Sequence, residues 1–550
     1  QQELHGVLAA LSTRVFHATT PATQWRPVLM PVYGTAKHQP DLAPLLAISL
    51  RRLGIPVLVH GALSGGSGVA SAYLFRELGI MPIASFAQAQ QALGAGQPVF
   101  LPTGAVSPAI ADLLALRARL GGGTLALTSG SQNIGNLTVS AGSTNTVTVG
   151  ASSTLTLGST LARSVGGIVE FDISASGAAI ASASAAGVLG YATINDGTVG
   201  MAYASGTNIV RLSSFSGGIL ADNTNAGAND YTTAGMAANP LLWSNTLTTR
   251  SVNSLTFDPS AASQVVNMGA VGNVLTLTSG AIQKVGANNA TLLGGQIGAN
   301  NSEVIVQQNG TGTLFLNSPL SSGTGSLVKL GSGTLQLSGG INIATGTLNG
   351  TTSVTVPDGS ILSVGQAVTG GGISAGTTIA SISGNTVTLS SAAVISGSST
   401  LTFGTGSTYT GSTLINGGTL QAGSSTIQTV GSVANNVAAV PTLTGGPLGP
   451  NSALTLANVA GAVFDLNGFN VVVGSLSGGG STGGNLVLGN GGTLTVGGIN
   501  YATNIAAIGT KTTFGGLISG TGNLTISGGN VLTLTNNSNS FSGQININSG

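Results

Sequence analysis

Cysteine is absent from this chain of 550 residues, which excludes a disulfide framework and every cysteine-based metal site. Charge is nearly as scarce. Fourteen Lys/Arg and 13 Asp/Glu make up 5% of the chain, against about a quarter in an ordinary globular domain. Only four histidines occur, His5, His17, His38 and His60, and none follows His60. No run of 18 apolar residues exists. The closest, Ala175–Ile194, is interrupted by Ser and Gly, so no transmembrane helix is expected. The start, Gln1-Gln2-Glu3-Leu4-His5, has no initiator Met and no basic-then-apolar signal pattern. The chain stops at Gly550 inside a repeat, so it reads as a fragment.

What is present divides at Gly121. Up to that residue there are eight Lys/Arg and four Asp/Glu; the remaining 429 residues hold six and nine. Glycine, at 88 residues, raises the possibility of disorder. Disordered chains are poor in β-branched and apolar residues, whereas Val, Ile, Leu and Thr recur here at strand spacing throughout.

Residues 1–121 alternate strand and helix patterns. Pro27–Tyr33, Ile55–His60 and Pro98–Pro102 read as strands. Asp41–Leu53, with Leu42, Leu45, Leu46, Leu50 and Leu53 at helical spacing, reads as a helix, ended by Arg51, Arg52 and Gly54. Further helices are expected over Gly68–Leu78 and from Ser107-Pro108 to Leu120. This order argues for a parallel sheet. The stretch from Val57-Leu58-Val59-His60-Gly61 to Glu77-Leu78-Gly79 resembles the anthranilate phosphoribosyltransferase family, and Pro27–Gly121 its divergent branch that includes nucleic-acid-binding proteins. His60 and Gly61 match the family's Lys-His-Gly-Asn motif, but its Asn falls on Ala62. The family's Ser pair falls on Gly66 and Ser67, and its Asp on Tyr73. The upstream phosphate loop is absent. The resemblance therefore implies a truncated α/β domain. His60, Gly61, Gly66 and Ser67 are vestigial phosphate-loop candidates, and phosphoribosyl pyrophosphate or nucleic acid is a ligand only under this alternative. Gly65–Gly68 reads more readily as a strand-to-helix turn than as a phosphate cradle, and eight basic residues in 121 more readily as a solvated surface than as a nucleic-acid contact.

Residues 122–550 are a succession of short strands with one aliphatic and one hydroxylated face, such as Thr124–Thr128, Asn136–Ser140, Thr146–Val149 and Thr154–Leu157. They recur about every ten residues between Gly, Asn and Ser turns. A longer repeat relates Gly323–Leu337 to Gly520–Leu534 at an offset of 197, with seven of fifteen positions identical. In the later copy Phe541-Ser542-Gly543 follows Leu534 after 7 residues; in the earlier, Tyr409-Thr410-Gly411 follows Leu337 after 72. Residues 340–406 thus read as an inserted small β-module, dividing the segment into 122–339, 340–406 and 407–550.

The unit carried by Leu327, Lys329, Gly331, Gly333–Leu335 and Leu337–Gly339, then Tyr409–Gly411, Thr413, Ile415, Asn416 and Gly418–Leu420, resembles the autotransporter-associated β-strand repeat. The resemblance implies a mainly β chain: a right-handed parallel β-helix passenger, secreted or displayed at the cell surface, adhesin-like or structural. Its implied partners are a host, cell-surface or matrix ligand and outer-membrane translocation machinery. Coils of around 20 residues predict about 20 turns in a rod approaching 100 Å. The reading expects a Val/Leu/Ile interior and Asn ladders at turns, through residues such as Asn416 and Asn548. The only close acidic pair, Glu170 and Asp172, reads as a solvated strand face, and Asn195-Asp196-Gly197 as a turn. No catalytic, cofactor or metal residue is expected in this segment. The break at Gly121 also suits two genes fused, or two sequences joined in assembly.

Overall fold

The computed structural model describes residues 28–32, 43–61, 71–83, 85–95, 97–102 and, with short interruptions, 123–548; the longest interruptions are 430–441 and 498–510. The chain divides into two compact units, Gln1–Gly121 and Gly122–Gly550.

In the first unit, strands Val28–Val32, Val57–Gly61 and Val99–Pro102 form a parallel sheet in that order. Helices Ala43–Arg52, Ser71–Glu77 and Phe86–Gly94 connect them. The first helix ends at Gly54, whose φ of +75° allows Ile55 N–H to reach Leu50 O at 3.0 Å and Gly54 N–H to reach Arg51 O at 2.9 Å, a glycine C-cap. Its inward face differs from the expected leucine stripe. Ala43, Ala47 and Leu50 pack on Val57, Val59, Phe75 and Phe100, while Leu45 and Leu46 stay 66% and 51% exposed. A period of 3.6 puts 43, 47 and 50 on one side and 45–46 on another. The helix Phe86–Gly94, capped by Ser85 Oγ accepting Gln88 N–H at 3.3 Å, has no counterpart in the sequence reading. The helix expected after Ser107 lies outside the described residues.

The second unit is mainly parallel β-solenoid, about 15 turns, but in two stacks rather than one rod of about 20. Four parallel strands, Thr124–Leu127, Thr144–Val149, Ile168–Asp172 and Gly187–Asn195, form one face of the shorter stack. Partners Leu125–Val147 and Val147–Phe171 set coils of 22 and 24 residues. The stack is closed by antiparallel strands Val199–Ala204 and Ile209–Arg211. The longer stack begins at Gly218. Among the described residues its first face runs through eleven strands, from Gly218–Ile219 to Val531–Leu534, with a twelfth, Gln296–Ala299, pairing beside that path with Val274–Leu277, and its second face has nine, from Leu241–Leu242 to Ile518–Ser519. A third face carries Val471–Val473, Thr493–Val496, Asn523–Ile526 and Ile545–Ile547.

The interior is a set of residue columns one coil apart. Ala290, Leu314, Leu335, Leu420, Phe464, Leu486 and Ile518 are successive partners on the second face, all buried. Close stacking also explains much of the glycine content. A Cβ on Gly310 would collide with the carbonyl oxygen of Gly286, one coil below.

One expectation about side chains is corrected. The interior is not purely aliphatic, because Lys284, Gln308 and Lys329 point inward and are fully buried. At the turns, several Asn side chains accept the backbone N–H of the neighbouring coil, as Asn289 does from Thr313 at 2.9 Å and Asn470 from Thr493 at 2.9 Å. Asn145 accepts from Gly123 N–H at 3.1 Å and donates to Ile168 O at 2.9 Å, tying three coils together. An amide that both donates and accepts satisfies turn backbone groups that no strand ladder reaches.

Strand Leu327–Leu330 pairs directly with Thr413–Ile415, and Thr334–Leu337 with Thr419–Ala422. Between them, residues 341–403 leave the stack and form a six-stranded antiparallel sheet. That sheet has its own core of Leu348, Val354, Val368, Val387, Leu401 and Phe403. The two copies of the 197-residue repeat occupy different faces. Leu327 lies on the first face and its counterpart Leu524 on the third; Leu335 lies on the second face and Leu532 on the first. Every face asks for the same apolar-in, polar-out pattern, so near-identical strands serve in any of them.

Candidate functional site

The acidic pair sits on the outward side of strand Ile168–Asp172, opposite buried Val169 and Phe171. Asp172 Oδ1 accepts Ser174 N–H at 3.1 Å, Ser174 Oγ–H at 2.7 Å and Asn195 Nδ2–H at 3.2 Å. Burial, and then the charge of Asp172, push the Glu170 carboxyl above the usual carboxylate range. Asp196 is held at its turn by Thr198 N–H at 3.2 Å and by Arg211 Nε at 3.1 Å from both carboxylate oxygens. Asp172 and Asp196 are thus engaged in turn contacts and an ion pair. Among the described residues, no three His, Cys, Asp or Glu are placed to share a metal.

His60 and Gly61 end the central strand of the first unit, His60 lying in register between Pro31 and Leu101. Burial lowers the His60 pKa. Gly66 and Ser67 lie outside the described residues, as do His5, His17 and His38.

The outer faces of the longer stack carry ordered polar rows. On the second face Thr291, Phe315, Gln336, Gln421 and Asp465 are successive partners, each partly exposed. Gln336 Nε2 donates to Gln421 Oε1 at 2.8 Å, and Gln421 Nε2 to Asp465 Oδ2 at 3.0 Å. On the first face Thr455 and Ser477 hydroxyls meet at 3.0 Å. The amide row was missed in the sequence reading, although Thr-Leu-Gln occurs at the same place in Thr334–Leu337 and Thr419–Ala422. On the excursion, in the connection between strands Thr386–Leu389 and Ser396–Phe403, Val394 and Ile395 are 71% and 45% exposed. These rows offer aligned hydrogen-bonding groups to a ligand lying along the stack; they do not set a base beside a nucleophile. No helix among the described residues is long and apolar enough to cross a membrane, which says nothing of β-barrels.

No family model matches the chain. The Adhesin BmaC autotransporter of Brucella suis biovar 1 (strain 1330) is 37% identical over 154 residues, 28% of this chain and 4% of that protein. The uncharacterised protein YbiB of Escherichia coli (strain K12) is 39% identical over 121 residues, 22% of this chain and 38% of that protein. The chain therefore spans well under half the length of either relative. A partial homologue among autotransporter adhesins and a parallel β-solenoid both fit the passenger resemblance drawn from the repeat.

Proposed function

We propose that residues 122–550 are a non-catalytic passenger segment, adhesin-like or structural, secreted or displayed at the cell surface. The observation that carries this reading is the parallel β-solenoid, together with 37% identity to an autotransporter adhesin over 28% of the chain. Stacked coils present long, flat, nearly uncharged faces, suited to extended contact with a host, cell-surface or matrix ligand. The proposed organisation is a right-handed solenoid over 122–339 and 407–550, with 340–406 as an inserted β-module, preceded by a separate segment 1–121. Support for the insertion comes from the pairing of Leu327–Leu330 directly with Thr413–Ile415. Export would use outer-membrane translocation machinery. No observation supports a phosphoribosyltransferase or nucleic-acid-binding role for 1–121, and none is proposed.

The test is accessibility on intact cells that express the protein. Antibodies against 122–550 should label unpermeabilised cells, and external protease should remove at least nine-tenths of that signal. Cells lacking the gene should attach less to host cells or matrix. Labelling only after permeabilisation would overturn the surface reading.

A further inference from the structure

We propose that Lys329 is a staple that carries the longer stack across its 341–403 excursion, locking the coil before the excursion to the coil after it. Lys329 lies in an inward column, between Val306 on the preceding coil and Ile415 on the following one. Its neighbours in that column are aliphatic, and it is itself fully buried. Its Nζ donates to Leu330 O at 2.9 Å and Gly331 O at 2.8 Å on its own turn. A third bond reaches Gly417 O at 3.0 Å, 88 residues along the chain and on the far side of the excursion. An ammonium has three donors and no acceptor, so three carbonyls at these distances use its whole capacity.

The same device recurs on the two preceding turns. Lys284 Nζ joins Gly286 O at 2.9 Å to Gly312 O at 2.8 Å on the next coil. Gln308 Nε2 donates to Gly312 O and, one coil on, to Thr334 O at 3.1 Å. Lys284, Gln308 and Lys329 therefore bridge four successive turns from inside, and the last bridge spans the point where the chain leaves the stack.

An aliphatic side chain would fill the column without the cost of burying an amine, and burial lowers the Lys329 pKa to about 7. Filling the column is therefore not reason enough for a lysine. The counterpart 197 positions on is Ile526, which lies on the third face and has no excursion to cross. That residue pairs with Val496 and Ile547 on adjacent coils. On the first face the junction has only three partner pairs, Leu327–Thr413, Val328–Leu414 and Lys329–Ile415. The closure entropy for bringing the two ends together grows with the length of the excursion, and bonds from Lys329 to both turns offset it.

The test is hydrogen exchange, followed segment by segment in the full chain, comparing wild type, Lys329→Met and Lys284→Met. Lys329→Met should lower amide protection at least tenfold in Thr413–Ile415 and Thr419–Ala422 while leaving Ala226–Thr232 and Val304–Gln308 within twofold. Lys284→Met should leave 413–422 within twofold. The proposal is overturned if Lys329→Met leaves 413–422 within twofold of wild type, or if protection falls equally in all coils of the longer stack. Should Lys329→Met not yield folded chain, Lys329→Gln replaces it, its amide reaching carbonyls as that of Gln308 does. It should lower protection of 413–422 between twofold and tenfold with 226–308 unchanged. An unchanged 413–422, or an even loss over all coils, overturns the proposal in that variant too.

Discussion

Glu303→Ala is expected to cost about 3–5 kcal/mol, the range for breaking a buried ion pair from one side, and to loosen the shorter stack from the longer one. Glu303 opens the strand Val304–Gln308 and is 3% exposed. Its carboxylate meets the Arg163 guanidinium and accepts Gly166 N–H at 2.5 Å, both from the shorter stack. Arg163 also lies 5.0 Å from the centre of the Tyr191 ring and donates to Gly167 O at 3.0 Å. Around this pair the outward residues Ile305, Val328, Leu330 and Leu414 pack against Ile168 and Tyr191. Gln307 Nε2 donates to Gly190 O at 2.7 Å and Ala192 O at 2.9 Å. Removing the carboxylate leaves a partly buried guanidinium without its counter-charge and an N–H without its acceptor. The measurement is a double-mutant cycle by urea denaturation. Glu303→Ala with Arg163→Ala should cost less than the sum of the single changes by more than about 1 kcal/mol, since residues in one network are not additive. Additivity within about 0.5 kcal/mol would show that the pair does not couple the two stacks.

That docking explains which parts of the fold were legible in the sequence. Strands such as Thr154–Leu157 alternate buried and half-buried positions, so period two reveals both their conformation and their inner face. Val304–Gln308 and Leu327–Leu330 are buried at every position. Their composition signals burial on both faces but does not say that the second cover is the shorter stack, more than 100 residues away in sequence. The same silence produced the expectation of a single rod. The reading of 340–406 as an insert rests on a repeat that is interrupted in the sequence, whereas the face each repeat occupies was not legible, because all faces share one pattern. Of the polar features, Asp196 was legible as a turn residue from Asn195-Asp196-Gly197. The staple at Lys329 was not, because a lysine beside Leu330 gives no sign of the carbonyls of Gly331 and Gly417 that receive it. The row Gln336–Gln421–Asp465 depends on register across the excursion, which only the pairing of coils establishes.

Phe464→Ala should cost about 3–5 kcal/mol, the usual range for deleting a buried aromatic ring, with the damage confined to nearby coils. Phe464 is fully buried, with Leu420 on the coil below and Leu486 on the coil above in the same column. Neighbouring coils repeat at fixed spacing and keep their own hydrogen-bond ladders, so they cannot collapse into the space left by the ring without breaking those ladders. Solenoid stability is close to a sum of coil and nearest-neighbour terms. The loss should therefore appear first as faster hydrogen exchange in Thr419–Ala422 and Asn485–Val487, with Thr144–Val149 and Ile168–Asp172 of the shorter stack unchanged. Phe464→Leu should cost about 1–1.5 kcal/mol, because leucine already fills the equivalent place at 314, 335, 420 and 486. Urea midpoints of both variants measure the difference. A loss below about 1 kcal/mol for Phe464→Ala, or exchange accelerated equally in both stacks, would contradict a core built from nearest-neighbour coil contacts.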